Sequence, residues 1–162
     1  MSFANKVIIV TGCSSGIGLA TVQQFLSQEA KVFGIDVSPF NSQLISPRHA
    51  ERFSFHQCNL TEENACDTAV RNCISKYGSQ IDVLANVAGI MDAWASADTI
   101  TDNEWDRVMM INLTVPIRLM RAVLPMMKEK RAGAIVNVCS KASLSGASAG
   151  IAYTVSKHGL VG

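Results

Sequence analysis

Near its carboxyl end the chain reads Ala-Tyr-Thr-Val-Ser-Lys over residues 152–157, which sets Tyr153 and Lys157 four residues apart. On a helix that spacing stacks two side chains on one face. A tyrosine hydroxyl, with a reference pKa of about 10, is a poor base at neutral pH, and an adjacent ammonium favours the phenolate. Lys157, one turn beyond Tyr153, is placed to supply that charge, so the pair has the makings of a proton donor and acceptor.

Three further polar positions stand where chemistry is expected. Ser140 closes the apolar run AIVNVCS and would sit at the carboxyl edge of a sheet, where its hydroxyl can donate to a carbonyl oxygen. The plainer alternative is a serine that satisfies local backbone groups. Asn112 interrupts a helical stretch of long apolar side chains, and taken alone it equally marks a break between two helices. Asp36 ends the run KVFGIDV, where a carboxylate accepts hydrogen bonds from a ribose diol or serves as a turn residue.

The first apolar run leads into Thr-Gly-Cys-Ser-Ser-Gly-Ile-Gly, residues 11–18, and then directly into a helical pattern. Gly12, Gly16 and Gly18 between a strand and a helix let the backbone turn tightly and approach a pyrophosphate, whose charge the helix N-terminus favours. A dinucleotide site follows, with Ser14, Ser15 and Ile17 in the same loop. Asp36 repels a 2'-phosphate, and Ser14, Ser15, Val37 and Ser38 offer no basic group to receive one. NAD is therefore expected in preference to NADP.

These residues need a scaffold. Five β-rich apolar runs, KVIIVTG, KVFGIDV, RFSFHQC, IDVLANV and AIVNVCS, alternate with helical stretches over Ile17–Gln28, Thr61–Tyr77, Thr101–Ile111 and Leu113–Lys130. The runs are nearly continuous in apolar residues, as in a parallel sheet with helices on both faces. Thr61 and Thr101 are followed by acidic residues and read as helix caps, and Gly78 as a stop. Pro116 fits a first helical turn, whereas Pro125 should kink its helix. The segment SPFNSQLISPRHAE reads as a loop. The expected architecture is α/β, a doubly wound parallel sheet of the Rossmann kind, in a single domain over residues 1–162.

The TGxxxGxG spacing, Asn86-Val-Ala-Gly89, Asn112 within MMINLT, Ser140 in VNVCS, and Tyr153 to Lys157 together resemble the short-chain dehydrogenase/reductase family. The resemblance runs along the whole chain in the right order. It implies an oxidoreductase using NAD(P), with hydride transfer between the nicotinamide and an alcohol or carbonyl carbon of a small molecule. Tyr153 would be the general acid/base, and Lys157 would lower its pKa and hold the nicotinamide ribose. Ser140 would orient the carbonyl, and Asn112 would hold a water that links Lys157 to solvent. Asn86, Ala88 and Gly89 would line the dinucleotide site. Two positions depart from the family pattern: Val87 replaces a second asparagine, and Asn59, before Leu60, replaces an aspartate near the adenine. The Asn59 side-chain oxygen can still accept from the adenine amine.

Bulk properties agree with an intracellular, cytoplasmic enzyme. A chain of 162 residues can bury roughly 70% of its unfolded surface. It carries 14 basic and 13 acidic residues, interspersed, for a net charge of +1, which leaves no footprint for nucleic acid or anionic lipid. No stretch approaches the ~18 consecutive apolar residues of a membrane span, and MSFANKVIIVTG is too short in apolar core for a secretory signal. The five cysteines contain no CxxC pair and read as small buried hydrophobes. His49, His56 and His158 have no partner at metal-ligand spacing, so no metal site is expected. Trp94 and Trp105 read as packing residues, with Trp94 able to border a substrate pocket.

Relatives of this kind continue past the Tyr/Lys helix with further strands and a lid, so the chain is expected to be carboxyl-terminally incomplete. AIVNVCS would then form an exposed apolar edge. The alternative to the enzyme is a truncated, non-catalytic dinucleotide-binding or interaction module. The family's subunits associate through the helices near Asn112 and Tyr153, which implies a homo-oligomer. The residues expected to line the substrate site, Met91 to Ala97 and Ala142 to Ala149, suggest a small, moderately apolar pocket.

Overall fold

A computed structural model describes residues 2–162. Its five strands are β1 (Val7–Thr11), β2 (Lys31–Asp36), β3 (Phe53–Gln57), β4 (Val83–Asn86) and β5 (Ala134–Asn137). All pair in parallel in the order β3-β2-β1-β4-β5, and each lies inside the apolar run expected for it. The helices are α1 (Gly16–Ser27), α2 (Ala65–Tyr77), α3 (Asp102–Met109), α4 (Val115–Glu129) and α5 (Ile151–Val161).

Alternation along the strands explains the two-sided burial. Ile8 and Val10 of β1 face α1, which brings Val22 and Leu26 onto them. Ile9, with Phe33, Ile35 and Leu84, faces the other layer, where α2 contributes Ala69, Val70 and Cys73 and α4 contributes Leu119, Val123 and Met127. Each fully buried side chain of this size contributes roughly 1.5–3 kcal/mol, so the two layers clamp the sheet. Cys13, Cys66 and Cys73 are buried among these residues, and burial pushes the Cys73 thiol up to about 12.

The helices correct the sequence reading in three places. α2 begins at Ala65, not Thr61, because the Asn59 side chain takes the Thr61 N–H and hydroxyl into a turn and Asn64 adopts φ 58°, which a helix cannot continue. The expected loop over residues 38–51 contains two 3₁₀ turns, Ser42–Leu44 and Pro47–Arg52. Asn112 does not separate two helices. A π turn over Met110–Thr114 carries α3 into α4 without a break. Thr101 caps α3 as expected, accepting from Glu104 N–H at 3.2 Å, and Gly78 ends α2 at φ 90°.

The continuous helix Asp102–Glu129 is long and apolar enough to cross a membrane by length and composition alone. Its Val108, Val115, Leu119, Val123 and Met127 are buried inside the domain, whereas Ile117 and Leu124 are exposed, so burial accounts for only part of that apolar character. β5 pairs only with β4, and Val136 is 52% exposed, so the apolar edge expected for this strand is present.

At the amino edge of the sheet Asp82 joins three elements. It accepts from Val7 N–H at 2.8 Å, from Lys130 Nζ at 2.9 Å and from Lys6 Nζ at 3.2 Å. Burial raises its pKa, but the Val7 amide and the two ammonium groups outweigh that, and the carboxyl is held below its ordinary value. A depressed folded-state pKa contributes stability above the unfolded value, near 3.9, that is lost as pH falls through the folded one. Asp82→Asn is therefore expected to cost about 1–2 kcal/mol at pH 7 in denaturant melts, with the difference from wild type shrinking below about pH 4.

Candidate active site

A cavity of about 420 Å³ opens at the carboxyl edge of the sheet between β1 and β4, the point where the strand order reverses. It is lined by the turn residues Gly12, Ser15, Gly16, Ile17 and Gly18, by Asp36 and Val37 after β2, by Asn59 and Leu60, and by Val87 to Ile90 after β4. Gly12 and Gly16 have φ of +66° and +51°, a region that other residues enter at a cost. A Cβ on Gly12 would lie 2.9 Å from Ala88 Cα, and one on Gly18 would overlap the Gly12 carbonyl. The glycines thus let α1 and the β4 loop close on the turn, while the α1 N-terminus, with no side-chain cap from Ser15, faces the cavity.

Thr11, which the sequence analysis passed over, fixes the other wall. Its buried Oγ1 accepts from Val87 N–H and Ala88 N–H, both at 3.0 Å, and so pins the β4 loop to β1. A threonine ending a strand is common, so its type alone carried no signal.

Asp36 combines both roles weighed for it. Its Oδ2 accepts from Ser14 N–H and its Oδ1 from Ser38 N–H, each at 2.9 Å, yet the residue lines the cavity. Ser14 is spent on this bond and on Ser38 O, and does not itself line the cavity. Asn59 is corrected in its chemistry. Its Oδ1 already accepts from Thr61 N–H at 3.1 Å and Thr61 Oγ1 at 2.8 Å, so the group left to offer is the amide NH₂, a donor. Asn86 also departs from the expectation. It lies off the cavity, with Nδ2 donating to Asn137 Oδ1 at 2.9 Å and Oδ1 buried without a partner among the described residues.

Lys157 and Asn112 meet beside Gly89, a residue of the cavity lining, and Tyr153 stands next to Lys157, though none of the three lines the cavity itself. Lys157 is buried on α5, its Nζ 5.7 Å from the Tyr153 ring centroid and donating to Val138 O at 2.8 Å. Burial lowers its pKa from the ordinary lysine value, with the neighbouring Cys139 acting against that. A methyl on Gly89 would stand 3.3 Å from Asn112 Oδ1 and 3.5 Å from Lys157 Nζ, so both groups face the same cavity-lining glycine.

Asn112, wholly buried, clamps the β4 loop by accepting from Ile90 N–H at 2.8 Å and donating to Ile90 O at 2.9 Å. Its second amide hydrogen goes to Ser156 Oγ at 3.1 Å, and Ser156 donates in turn to Tyr153 O at 2.8 Å. Both amide hydrogens are engaged, so a water held by this side chain would have to donate to Oδ1; the observed work of Asn112 is to hold the β4 loop and α5 together. Ser156 was missed because a serine between the tyrosine and lysine has no distinctive spacing.

Ser140 follows β5 and caps the 3₁₀ turn Lys141–Ser143. Its Oγ accepts from Ala142 N–H at 3.1 Å while its own N–H donates to Ser143 Oγ at 3.1 Å. With Oγ accepting, its proton is free to point elsewhere. Trp94 is not a packing residue: it is 66% exposed, in a loop at φ 61°. Trp105 is half-buried.

A parallel sheet with a glycine-turn cavity at its switch point places the chain among the doubly wound α/β proteins. Residues 6–162 match the family described as short chain dehydrogenase, and the chain belongs to that family. It is 48% identical over 158 residues to a short-chain dehydrogenase/reductase, olcF, of Penicillium canescens, and 51% identical over 158 residues to a short chain dehydrogenase, prhI, of Penicillium brasilianum. Each match covers 98% of this chain and 60% of the relative. A third relative, the asnovolin H dehydrogenase nvfC of Aspergillus novofumigatus, is 47% identical over 161 residues, covering 99% of this chain and 62% of its own. The chain therefore spans about 60% of the length of the curated relatives it matches. The family's members are oxidoreductases that act on small molecules and generally use NAD(P).

Proposed function

We propose that this protein interconverts an alcohol and a carbonyl with NAD(P), preferring NAD. The observation that carries the reading is the meeting of Lys157 and Asn112 around Gly89, which lines the glycine-turn cavity, with Tyr153 one turn from the lysine. The residues fit a dinucleotide: the α1 N-terminus and close-packed glycines suit a pyrophosphate, and Asp36, braced by two main-chain amides, suits a ribose diol. When bound, the nicotinamide supplies the carbon that accepts or gives hydride.

The protein's own residues then manage one proton. With a dinucleotide bound, Tyr153 would take the proton of the substrate hydroxyl as the carbinol is oxidised to a carbonyl. In the reverse direction Tyr153 returns that proton. Lys157 holds positive charge beside the ring and has donors left beyond Val138 O for a ribose hydroxyl. Ser140 donates to the substrate oxygen with the hydroxyl proton that its turn leaves free. Exposed Ile117 and Leu124 on α4 and Val155 on α5 support self-association along these helices.

The test is reduction of NAD by a panel of alcohols, followed by absorbance with the full-length enzyme. NAD is expected to exceed NADP in kcat/KM by roughly tenfold or more, and Asp36→Asn to bring the two within a few-fold, because the repulsion of a 2'-phosphate goes with the charge. Equal use of both by the wild type would contradict the role given to Asp36. The competing role, a dinucleotide-binding module without turnover, is favoured by the open edge of β5, which ends three residues before Ser140. Turnover by the 162-residue chain would exclude it.

A further inference from the structure

Helix α5 carries both Tyr153 and Lys157, and its own first residues cannot cap it. The N-cap is Gly150, which has no side chain, so the first N–H groups need acceptors from elsewhere. One is Asp92, a buried carboxylate 61 residues upstream in the loop after β4, whose Oδ2 accepts from Tyr153 N–H at 2.9 Å. Tyr153 is the third residue of the helix, the position a capping side chain normally serves. Ala95 O, from the same loop, accepts from Ile151 N–H at 3.0 Å.

The fit extends to Gly150 itself. A Cβ there would lie 2.5 and 2.6 Å from the two Asp92 carboxylate oxygens, so the carboxylate occupies the space where the helix's own capping side chain would stand. The loop is held in turn. Asp92 Oδ1 accepts from Trp94 N–H at 3.3 Å, and Glu104 Oε1 of α3 accepts from Ala93 N–H at 2.6 Å. Two residues before Asp92, Ile90 is clamped by Asn112. A negative group at this end also suits the helix dipole.

We propose that Asp92 is a positioning residue, an N-cap imported from the β4 loop that sets where Tyr153 and Lys157 stand relative to the cavity. The proposal rests on the acid–base reading of Tyr153 given above. It makes the β4 loop a single positioning element: one end walls the dinucleotide cavity at Val87 to Ile90 and the other holds the amide of the residue that moves the proton.

The test uses the full-length enzyme and the variants Asp92→Ala, Asp92→Asn and Gly150→Ala, read by amide exchange across residues 151–157, by kcat and by the dissociation constant for NADH. In Asp92→Ala, exchange in the first turn of α5 is expected to quicken roughly five- to tenfold and kcat to fall roughly ten- to a hundredfold, with NADH binding changed by less than about twofold. Asn is a comparable cap and should restore most of both. Gly150→Ala, which displaces the carboxylate from the other side, should reproduce the loss and add little to it in the Asp92→Ala background. Unchanged exchange in α5 would overturn the cap, and faster exchange with unchanged kcat would overturn the positioning role. Should Asp92→Ala fail to fold, Gly150→Ala decides by the same readouts. A wild-type enzyme without turnover would sink the oxidoreductase reading instead, and the exchange data would still decide the cap.

Discussion

Tyr153→Phe is expected to lower kcat by roughly 10²–10⁴-fold while leaving the dissociation constant for NADH within about a factor of two. The substitution removes one oxygen and little else. The ring can keep its place beside the Lys157 ammonium, 5.7 Å from its centroid, and the Tyr153 amide still donates to Asp92. What goes is the group proposed to take the proton, and no other described residue on this face of α5 is placed to replace it. Lys157 is an ammonium with no lone pair to accept a proton, and Ser140 has its oxygen committed to Ala142 N–H. Steady-state turnover with binding measured separately checks the expectation. A Phe variant that kept wild-type kcat would remove Tyr153 from the chemistry.

Asn112→Ala is expected to be the most damaging single change to stability near the site. The truncation strands Ile90 N–H and Ile90 O and takes one donor from the Ser156 oxygen, around a side chain that is wholly buried, while the Ser156 hydroxyl keeps its bond to Tyr153 O. Each buried polar group left without a partner costs about 1–3 kcal/mol, partly relieved if water enters, so a total of roughly 2–5 kcal/mol is expected. For a domain of this size that lowers the melting midpoint by roughly 5–15 °C. Activity should fall further than the loss of folded protein explains, because the same side chain joins the β4 loop to α5. Calorimetry paired with kcat per folded molecule reads both. A variant with an unchanged midpoint would show that the amide's three bonds carry no net weight.

The difference between what was legible in the sequence and what was not follows the distance over which each feature is decided. The strands were readable because both faces of a parallel sheet are covered, which turns β1 into an unbroken apolar run between Lys6 and Thr11. Gly12, Gly16 and Gly18 were readable because a tight strand-to-helix turn needs them within eight residues, and Tyr153 and Lys157 because one helical turn separates them. The start of α2 was misplaced by a local competition: Thr61 has the composition of a cap, but the Asn59 side chain claims it first.

Other features depend on partners far along the chain. The π turn at Asn112 forms where its amide meets the backbone of Ile90, 22 residues away, and the carboxylate of Asp92 finds its donor 61 residues on. Thr11 reaches 76 and 77 residues to the β4 loop. No local pattern encodes such bonds. The residue types that make them, asparagine, aspartate and threonine, are common in loops for unrelated reasons.

The central claim is that the cavity at the sheet's switch point binds a nicotinamide dinucleotide through the glycine turn and Asp36. Thermal unfolding of the 162-residue chain, alone and with NAD or NADP at about a hundred times the expected dissociation constant, tests it most directly. Binding at that ratio adds about 2.7 kcal/mol to the folded state, which raises the midpoint by roughly 5–10 °C. A cooperative transition raised by NAD, and raised less by NADP, is the expected result. A cooperative transition that neither dinucleotide moves would contradict the claim.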